Sequence, residues 1–333
     1  MLNFLESYFQ DVDLKNIVMD IIGTADPKTI IALINKFALP YCDSRIEKII
    51  FLEPSAGAVF GFQLESGRKV ILKIFNKNIT HDYLIKMNQI QAIFCDEKYP
   101  APRVLSPIFQ FNQRFAGLYE LIEGNKENAH ESDIRDELAK YLARFCEIVD
   151  KHQFNPLYTF MQVSMKDKLW PTPHNILFDL EKTAQGAEWI DDIAVKAREV
   201  LSKQIFKPQL AYTDWSVKNT IYKNKKLVGV FDWDALGCMS ESEMVGSACA
   251  QFTADWESGN KVTPMPEEGR LFVRAYEFYR GKTFNEEEYR VISASADYLI
   301  ALISRFEHAG DDPINHPYQD LLIECSDKGF LFS

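Results

Sequence analysis

The chain lacks any apolar run approaching the roughly 18–20 residues that a membrane-spanning helix requires, so no segment reads as a span. Its 6 cysteines (Cys42, Cys95, Cys146, Cys238, Cys249 and Cys325) stand far apart, without a C-x-x-C pair. That spacing carries no metal-like pattern, and the cysteines read as reduced, mostly buried thiols of a cytosolic protein. An excess of positive charge is also missing. The net charge of −11 argues against a nucleic-acid groove and against an anionic membrane surface, while remaining compatible with a cationic ligand. The opening Met-Leu-Asn-Phe-Leu-Glu-Ser has no basic stretch followed by an apolar core, and no repeats or low-complexity linkers interrupt the chain. The expectation is a soluble, cytoplasmic protein with no nucleic-acid or membrane partner. Its oligomeric state is left open.

At 333 residues and 47% hydrophobic content, there is enough chain for two domains or one two-lobed domain with a sizeable core. Residues 1–44 read as helices: Asp26-Pro27 supplies a cap and a first-turn proline, and Ile30, Ile31, Leu33, Ile34 and Phe37 an apolar face. From Ile46 the pattern becomes strands, over Ile46–Leu52, Ala58–Leu64 and Lys69–Phe75. The turn Pro54-Ser55-Ala56-Gly57 provides small residues where backbone can approach a phosphate closely; it is not a G-x-G-x-x-G. Lys73, flanked by apolar residues, must send its ammonium to water or to a fixed anion. A helix is expected over Asp82–Phe94, closed by Pro100-Ala101-Pro102, with the chain then entering a strand near Val104. Beyond Gly124 helices dominate. Ser132 is expected to cap one and Asn285, with Glu288, another that ends at Gly310. His174, in a proline- and aromatic-rich stretch, reads equally as structural or substrate-adjacent.

The densest chemistry lies in Tyr212–Asp234. Asp214 is followed five residues later by Asn219, and Asp232 comes thirteen residues after that. Between the last two, Thr220–Tyr222 and Leu227–Phe231 flank a basic turn, which reads as a hairpin whose open end brings Asn219 and Asp232 together. Two hard oxygen ligands meeting beside a carboxylate suit Mg2+ and phosphoryl transfer.

The order Asp, four residues, Asn, hairpin, Asp, with Asp-Trp-Asp at its end, resembles the aminoglycoside phosphotransferase and choline kinase family of the protein kinase-like superfamily. That resemblance implies an α+β, two-lobed fold: a small antiparallel-sheet N-lobe and a larger, mainly helical C-lobe. The implied boundaries are a helical extension over 1–44, the N-lobe over 45–118, a hinge over 119–125 and the C-lobe over 126–333. It implies Asp214 as catalytic base and Asn219 and Asp232 as Mg2+ ligands. Lys73, Ser55 and Gly57 would meet the phosphates of ATP or GTP, and Glu120 and Ile122 would offer backbone groups to the base. Asp234, Glu241, Glu243 and Asp255 would face the acceptor, where an acidic rim with Glu257 would attract a protonated amine. The sequence departs from the family in two places. Tyr212 stands where the family has histidine, and about eighteen residues after Lys73, where a glutamate should pair with it, there is Gln91. The expected function is transfer of a γ-phosphoryl group to a hydroxyl of a small, possibly cationic molecule such as an aminoglycoside-like antibiotic or an amino alcohol. The alternative is a nucleotide-binding regulatory pseudokinase, which Gln91 favours.

Overall fold

Two side chains start the second and third of the opening helices. In the computed structural model, which describes all residues except 166–167, 174–177, 204 and 311–314, α1 (Leu2–Tyr8), α2 (Val12–Ile22) and α3 (Pro27–Phe37) follow one another closely. The Asp11 carboxylate accepts from the Asp13 and Leu14 N–H groups, and Asp26 from Thr29, so each cap satisfies donors that the first helical turn leaves unpaired. Next come β1 (Ile46–Pro54), β2 (Ala58–Leu64), β3 (Lys69–Ile74), α4 (His81–Asp96), β4 (Phe109–Phe111) and β5 (Arg114–Glu120). The five strands form one antiparallel sheet in the order β1-β2-β3-β5-β4. Alternation along β3 decides its two faces. Val70, Leu72 and Ile74 are buried with Val18, Ile21, Ile30 and Ile34 of α2 and α3, whereas Lys73 points to the opposite face. All of this lies in the first of two compact units, Met1–Glu123; the second is Gly124–Ser333.

The strand expected near Val104 is short, a single bridge of Val104 with Tyr119 flanked by bonds from the Leu105 N–H to the Leu118 carbonyl and from the Glu120 N–H to the Arg103 carbonyl. Pro100 and Pro102 have no N–H to give a ladder, and the Pro102 carbonyl is taken by the Gln91 side chain. The sheet is extended instead by the β4–β5 hairpin, turned at Asn112 with φ 54°.

The second unit holds α5 (Ser132–His152), α6 (Phe160–Met165), α7 (Glu188–Leu201), β6 (Gln209–Tyr212), β7 (Thr220–Lys223), β8 (Lys226–Val230), β9 (Leu236–Met239), α8 (Glu241–Gln251), α9 (Pro266–Arg280), α10 (Glu286–Ala309) and α11 (Pro317–Cys325). Ser132 is the first helical residue of α5 and Glu131 occupies the cap position without a side-chain bond, so the expected serine cap is displaced by one residue. The Asn285–Glu288 capping box opens α10 with both reciprocal bonds made. Asn224 and Lys225 join β7 to β8 with φ of 49° and 58°, the left-handed pair that matches the twist of a two-residue hairpin. The β6–β9 pair has no local signature and was not expected. Gly246 lets α8 lie against α10: a Cβ there would be 2.2 Å from the Ile292 carbonyl oxygen. Trp170 donates to Asp191 at 2.9 Å and stacks on Tyr298, while His174 lies outside the described residues.

The architecture is therefore α+β, a five-stranded antiparallel sheet followed by a largely helical remainder.

Candidate active site

In the second unit, β6 delivers the chain to Thr213, whose N–H and Oγ1 both bond to the Ala235 carbonyl at 3.0 and 2.9 Å. The loop after β6 is thereby tied to the segment after β8. Tyr212 strengthens the tie. Its ring is buried and its hydroxyl donates to the Phe231 carbonyl and lies 3.3 Å from that of Asp232. Asp232 itself sits at φ 57°, ψ 47°, a left-handed conformation that a non-glycine residue holds only when its surroundings enforce it. The Trp233 indole, donating to the Val230 carbonyl at 2.9 Å, is part of that enforcement.

Asn219 is half of the next contact. Its Nδ2 donates to the Asp214 carbonyl at 2.8 Å and to Asp214 Oδ2 at 3.1 Å, and its own carbonyl accepts from the Phe231 N–H at 2.8 Å. With the amide nitrogen committed, Asn219 Oδ1 is left as an acceptor at the open end of the β7–β8 hairpin, where Asp232 also lies. An amide oxygen and a carboxylate fit the hard-donor preference of Mg2+, which completes its shell with water and phosphate oxygens. Among the described residues no group of three or more His, Cys, Asp or Glu is arranged to hold a metal alone.

Sequence reading passed over Lys218. Its Nζ lies 3.0 Å from Asp214 Oδ2 and 5.4 Å from the centre of the Trp256 ring. Burial works against the charged form, but Asp214, with Asp232 and Asp255 beyond it, outweighs that and holds the lysine pKa above its ordinary value. The Val217 N–H bonds to the Phe252 carbonyl at 2.9 Å and Gln251 Nε2 to the Thr213 carbonyl at 3.2 Å, so the segment carrying Asp255 and Trp256 is stitched to the Asp214 loop. Trp256 stacks on Tyr318 of α11 with ring centres 6.4 Å apart. Tyr318 is fully buried, is within the field of Asp214, and its hydroxyl has no hydrogen-bond partner among the described residues.

The acidic residues assigned to an acceptor rim divide differently. Glu241 accepts from Tyr276 at 2.7 Å and is paired with Arg280 at 3.0 Å and Lys282 at 3.3 Å. Glu243 closes the α8 capping box by accepting from the Ser240 N–H at 2.7 Å. Asp255 is buried and accepts from the Glu257 N–H at 3.1 Å. Asp234 lies in the single turn that follows Asp232. Glu241 and Glu243 are thus engaged in holding the helices.

α11 is itself capped by Glu307, which accepts from the Tyr318 and Gln319 N–H groups. Burial lifts this carboxyl to about 7, those two bonds opposing the rise. A carboxyl raised on folding contributes most stability below its unfolded pKa, and that contribution is lost as pH climbs through the folded value. Glu307→Gln is therefore expected to flatten the fall of Tm between about pH 4.5 and 7; an unchanged Tm–pH curve would show that Glu307 does not titrate there.

In the first unit, Ser55 N–H bonds to the Gly57 carbonyl at 2.7 Å, closing the β1–β2 turn. A Cβ on Gly57 would fall 2.2 Å from the Ile74 carbonyl oxygen. Gly57→Ala is accordingly expected to part β2 from β3 and to cost about 1–3 kcal/mol, read as a lowered urea midpoint; no change would mean that the turn relaxes freely. Lys73 stands opposite Gly117. Two residues on, Tyr119 lies on the same face, with its hydroxyl 2.7 Å from where a Gly117 Cβ would be, and it donates to Asn88 Oδ1 of α4 at 2.7 Å. Gln91 instead donates to the Pro102 carbonyl at 2.7 Å. Tyr119 thereby ties α4 to β5 through Asn88. Past β5, the Glu120 N–H is taken by the Arg103 carbonyl, while the backbone groups of Ile122 make no bond among the described residues.

A five-stranded antiparallel sheet carrying a lysine, and a helical unit carrying Asp214, Asn219 and Asp232 on a loop and hairpin, define a phosphotransferase of the protein kinase-like fold. A profile of the phosphotransferase enzyme family (APH) matches residues 52–290, and the chain belongs to that family, which makes it an enzyme of the small-molecule kinase class. Among solved structures, it is similar to the amicoumacin kinase hAmiN in complex with AMP-PNP, Ca2+ and Ami, at 13% identity and a TM-score of 0.66, over 90% of this chain and 91% of that one. An ethanolamine kinase of Plasmodium vivax matches at 14% identity and a TM-score of 0.53, over 84% and 81%. APH(2″)-IIa in its ternary complex with streptomycin and ATP matches at 15% and 0.54, over 89% and 94%. At these identities the likeness is one of fold. A search of curated protein sequences returned no match.

Proposed function

We propose that the protein transfers the γ-phosphoryl group of ATP or GTP to a hydroxyl of a small molecule, with Asp214 as base and Asn219 and Asp232 as ligands of Mg2+. The observation that carries this reading is the bond between Asn219 and Asp214 at the hairpin end that Asp232 follows, with Asp214 Oδ2 held by Asn219 and Lys218 and Oδ1 bonded to nothing among the described residues. Oδ1 accepts the acceptor's hydroxyl proton as the new O–P bond forms and the bond to the β-phosphate oxygen breaks, releasing ADP or GDP. Mg2+, when bound, supplies neutralisation of phosphate charge. On the first unit, Ser55 and Gly57 offer a small turn to the phosphates, Lys73 a cation to their oxygens, and Glu120 and Ile122 backbone at the base. Asp234 and Asp255 remain the acidic residues assigned to the acceptor side.

The similar structures are bound to or named for amicoumacin, ethanolamine and streptomycin, and those chemistries belong in the acceptor panel. No helix among the described residues is long and apolar enough to cross a membrane. A regulator with little transfer activity is the second reading, favoured by Gln91 at the position where the family's spacing from Lys73 has a glutamate. Mg2+-dependent nucleotide consumption over an acceptor panel tests the proposal. Acceptor-stimulated ADP or GDP release supports it, and nucleotide binding without stimulation by any acceptor turns the balance to the regulator.

A further inference from the structure

The place beside Asp214 where an acceptor's ammonium would be best held is already occupied by the chain itself. The Asp214 carboxylate lies against it, Asp232 and Asp255 add their field, and the Trp256 indole offers its ring. Lys218 Nζ lies 3.0 Å from Asp214 Oδ2 and 5.4 Å from that ring centre, with Asp232 and Asp255 also acting on it. A cation between carboxylates and an indole satisfies both at once. A second ammonium brought to the same place meets the first at close range and in partial burial, where like charges repel strongly. Two of the acids assigned to the rim are spent: Glu241 is neutralised by Arg280 and Lys282, and Glu243 caps α8.

What the site does offer is donors for oxygen. Lys218 has two further N–H groups beyond the one given to Asp214. Trp256 is 52% exposed and the Lys218 side chain 34%, so the lysine and the indole are open to a ligand, while the Tyr318 ring lies buried beneath the indole.

We infer that Lys218 sets the acceptor specificity of this enzyme: its ammonium takes the cation position between Asp214 and Trp256, and the compound phosphorylated is a neutral or acidic polyhydroxy molecule held through its oxygens by Lys218. This rests on the phosphotransferase reading above. It departs from the cationic acceptor that the acidic composition suggested.

The test uses the full chain as wild type, Lys218→Met and Lys218→Arg, with Mg2+ and ATP or GTP. Thermal shift and nucleotide consumption are measured with kanamycin and ethanolamine as cationic probes and with myo-inositol and glycerate as neutral and acidic ones. Wild type is expected to be stabilised or stimulated by the neutral or acidic probes at least tenfold more readily than by the cationic ones. Lys218→Met should keep its Mg2+–nucleotide thermal shift, lose at least tenfold toward the neutral and acidic probes, and gain at least tenfold in apparent affinity for kanamycin; Lys218→Arg should keep the wild-type order. Unchanged affinity for kanamycin in Lys218→Met, or a wild type that already prefers the cationic probes, overturns the inference while the phosphotransferase reading stands. Loss of every nucleotide-dependent shift in wild type overturns both.

Discussion

Asp214→Asn is expected to lower kcat by about 10²–10⁴-fold, the span that a positioned general base contributes, while leaving Mg2+–nucleotide binding within about twofold of wild type. The geometry makes this substitution a narrow probe. The bond from Asn219 Nδ2 to the Asp214 carbonyl, at 2.8 Å, is a backbone contact that survives the change, so the ligand pair keeps its position. An asparagine oxygen can still accept from Lys218, and the half-exposed ion pair it replaces is worth no more than about 1 kcal/mol. What disappears is the capacity to take a proton at Oδ1. Single-turnover rates together with a nucleotide thermal shift separate the outcomes. A kcat within threefold of wild type would remove Asp214 from the role of base. A variant that no longer binds nucleotide would show that its charge organises the metal pair instead.

The parts of this site that could be read in the sequence are those fixed by near neighbours. The β7–β8 hairpin is set by two short β-rich runs and a two-residue turn, so its open end, and with it the approach of Asn219 to Asp232, follows from local spacing. The Asn285–Glu288 box is likewise contained within four residues. What escaped has partners distant along the chain. Glu241 looked like a rim acid because Arg280 and Lys282, which neutralise it, come 39 and 41 residues later. Gln91, reached from Lys73 by a fixed spacing, spends its amide N–H on the Pro102 carbonyl eleven residues on. Tyr318 reaches the Asp214 environment from α11, more than a hundred residues beyond the loop, and nothing in its own neighbourhood announces this. The shortness of the strand at Val104 reflects a different limit. An extended segment is not a strand until its N–H groups find a ladder, and two prolines leave few to offer.

Glu241 provides the sharpest contrast between a rim acid and a structural one. Glu241→Ala is expected to destabilise the second unit by about 3 kcal/mol, in the range for removing one member of a buried ion pair. The reason is the inventory of what it abandons: the Tyr276 hydroxyl at 2.7 Å, Arg280 Nε at 3.0 Å and Lys282 Nζ at 3.3 Å. Arg280 retains Asp150 and Lys282 retains Glu288, which keeps the loss from growing larger. For a unit of this size, Tm should fall by about 6–12 °C at roughly 2–4 °C per kcal/mol. Glu241→Gln keeps acceptor capacity for Tyr276 but not the charge, and should fall between wild type and alanine. At a temperature well below either midpoint, acceptor KM should stay within about twofold, because the carboxylate is turned toward α9 and its own cations. A tenfold rise in acceptor KM with Tm unmoved would reverse the assignment, returning Glu241 to the acceptor rim and reopening the site to a cationic substrate.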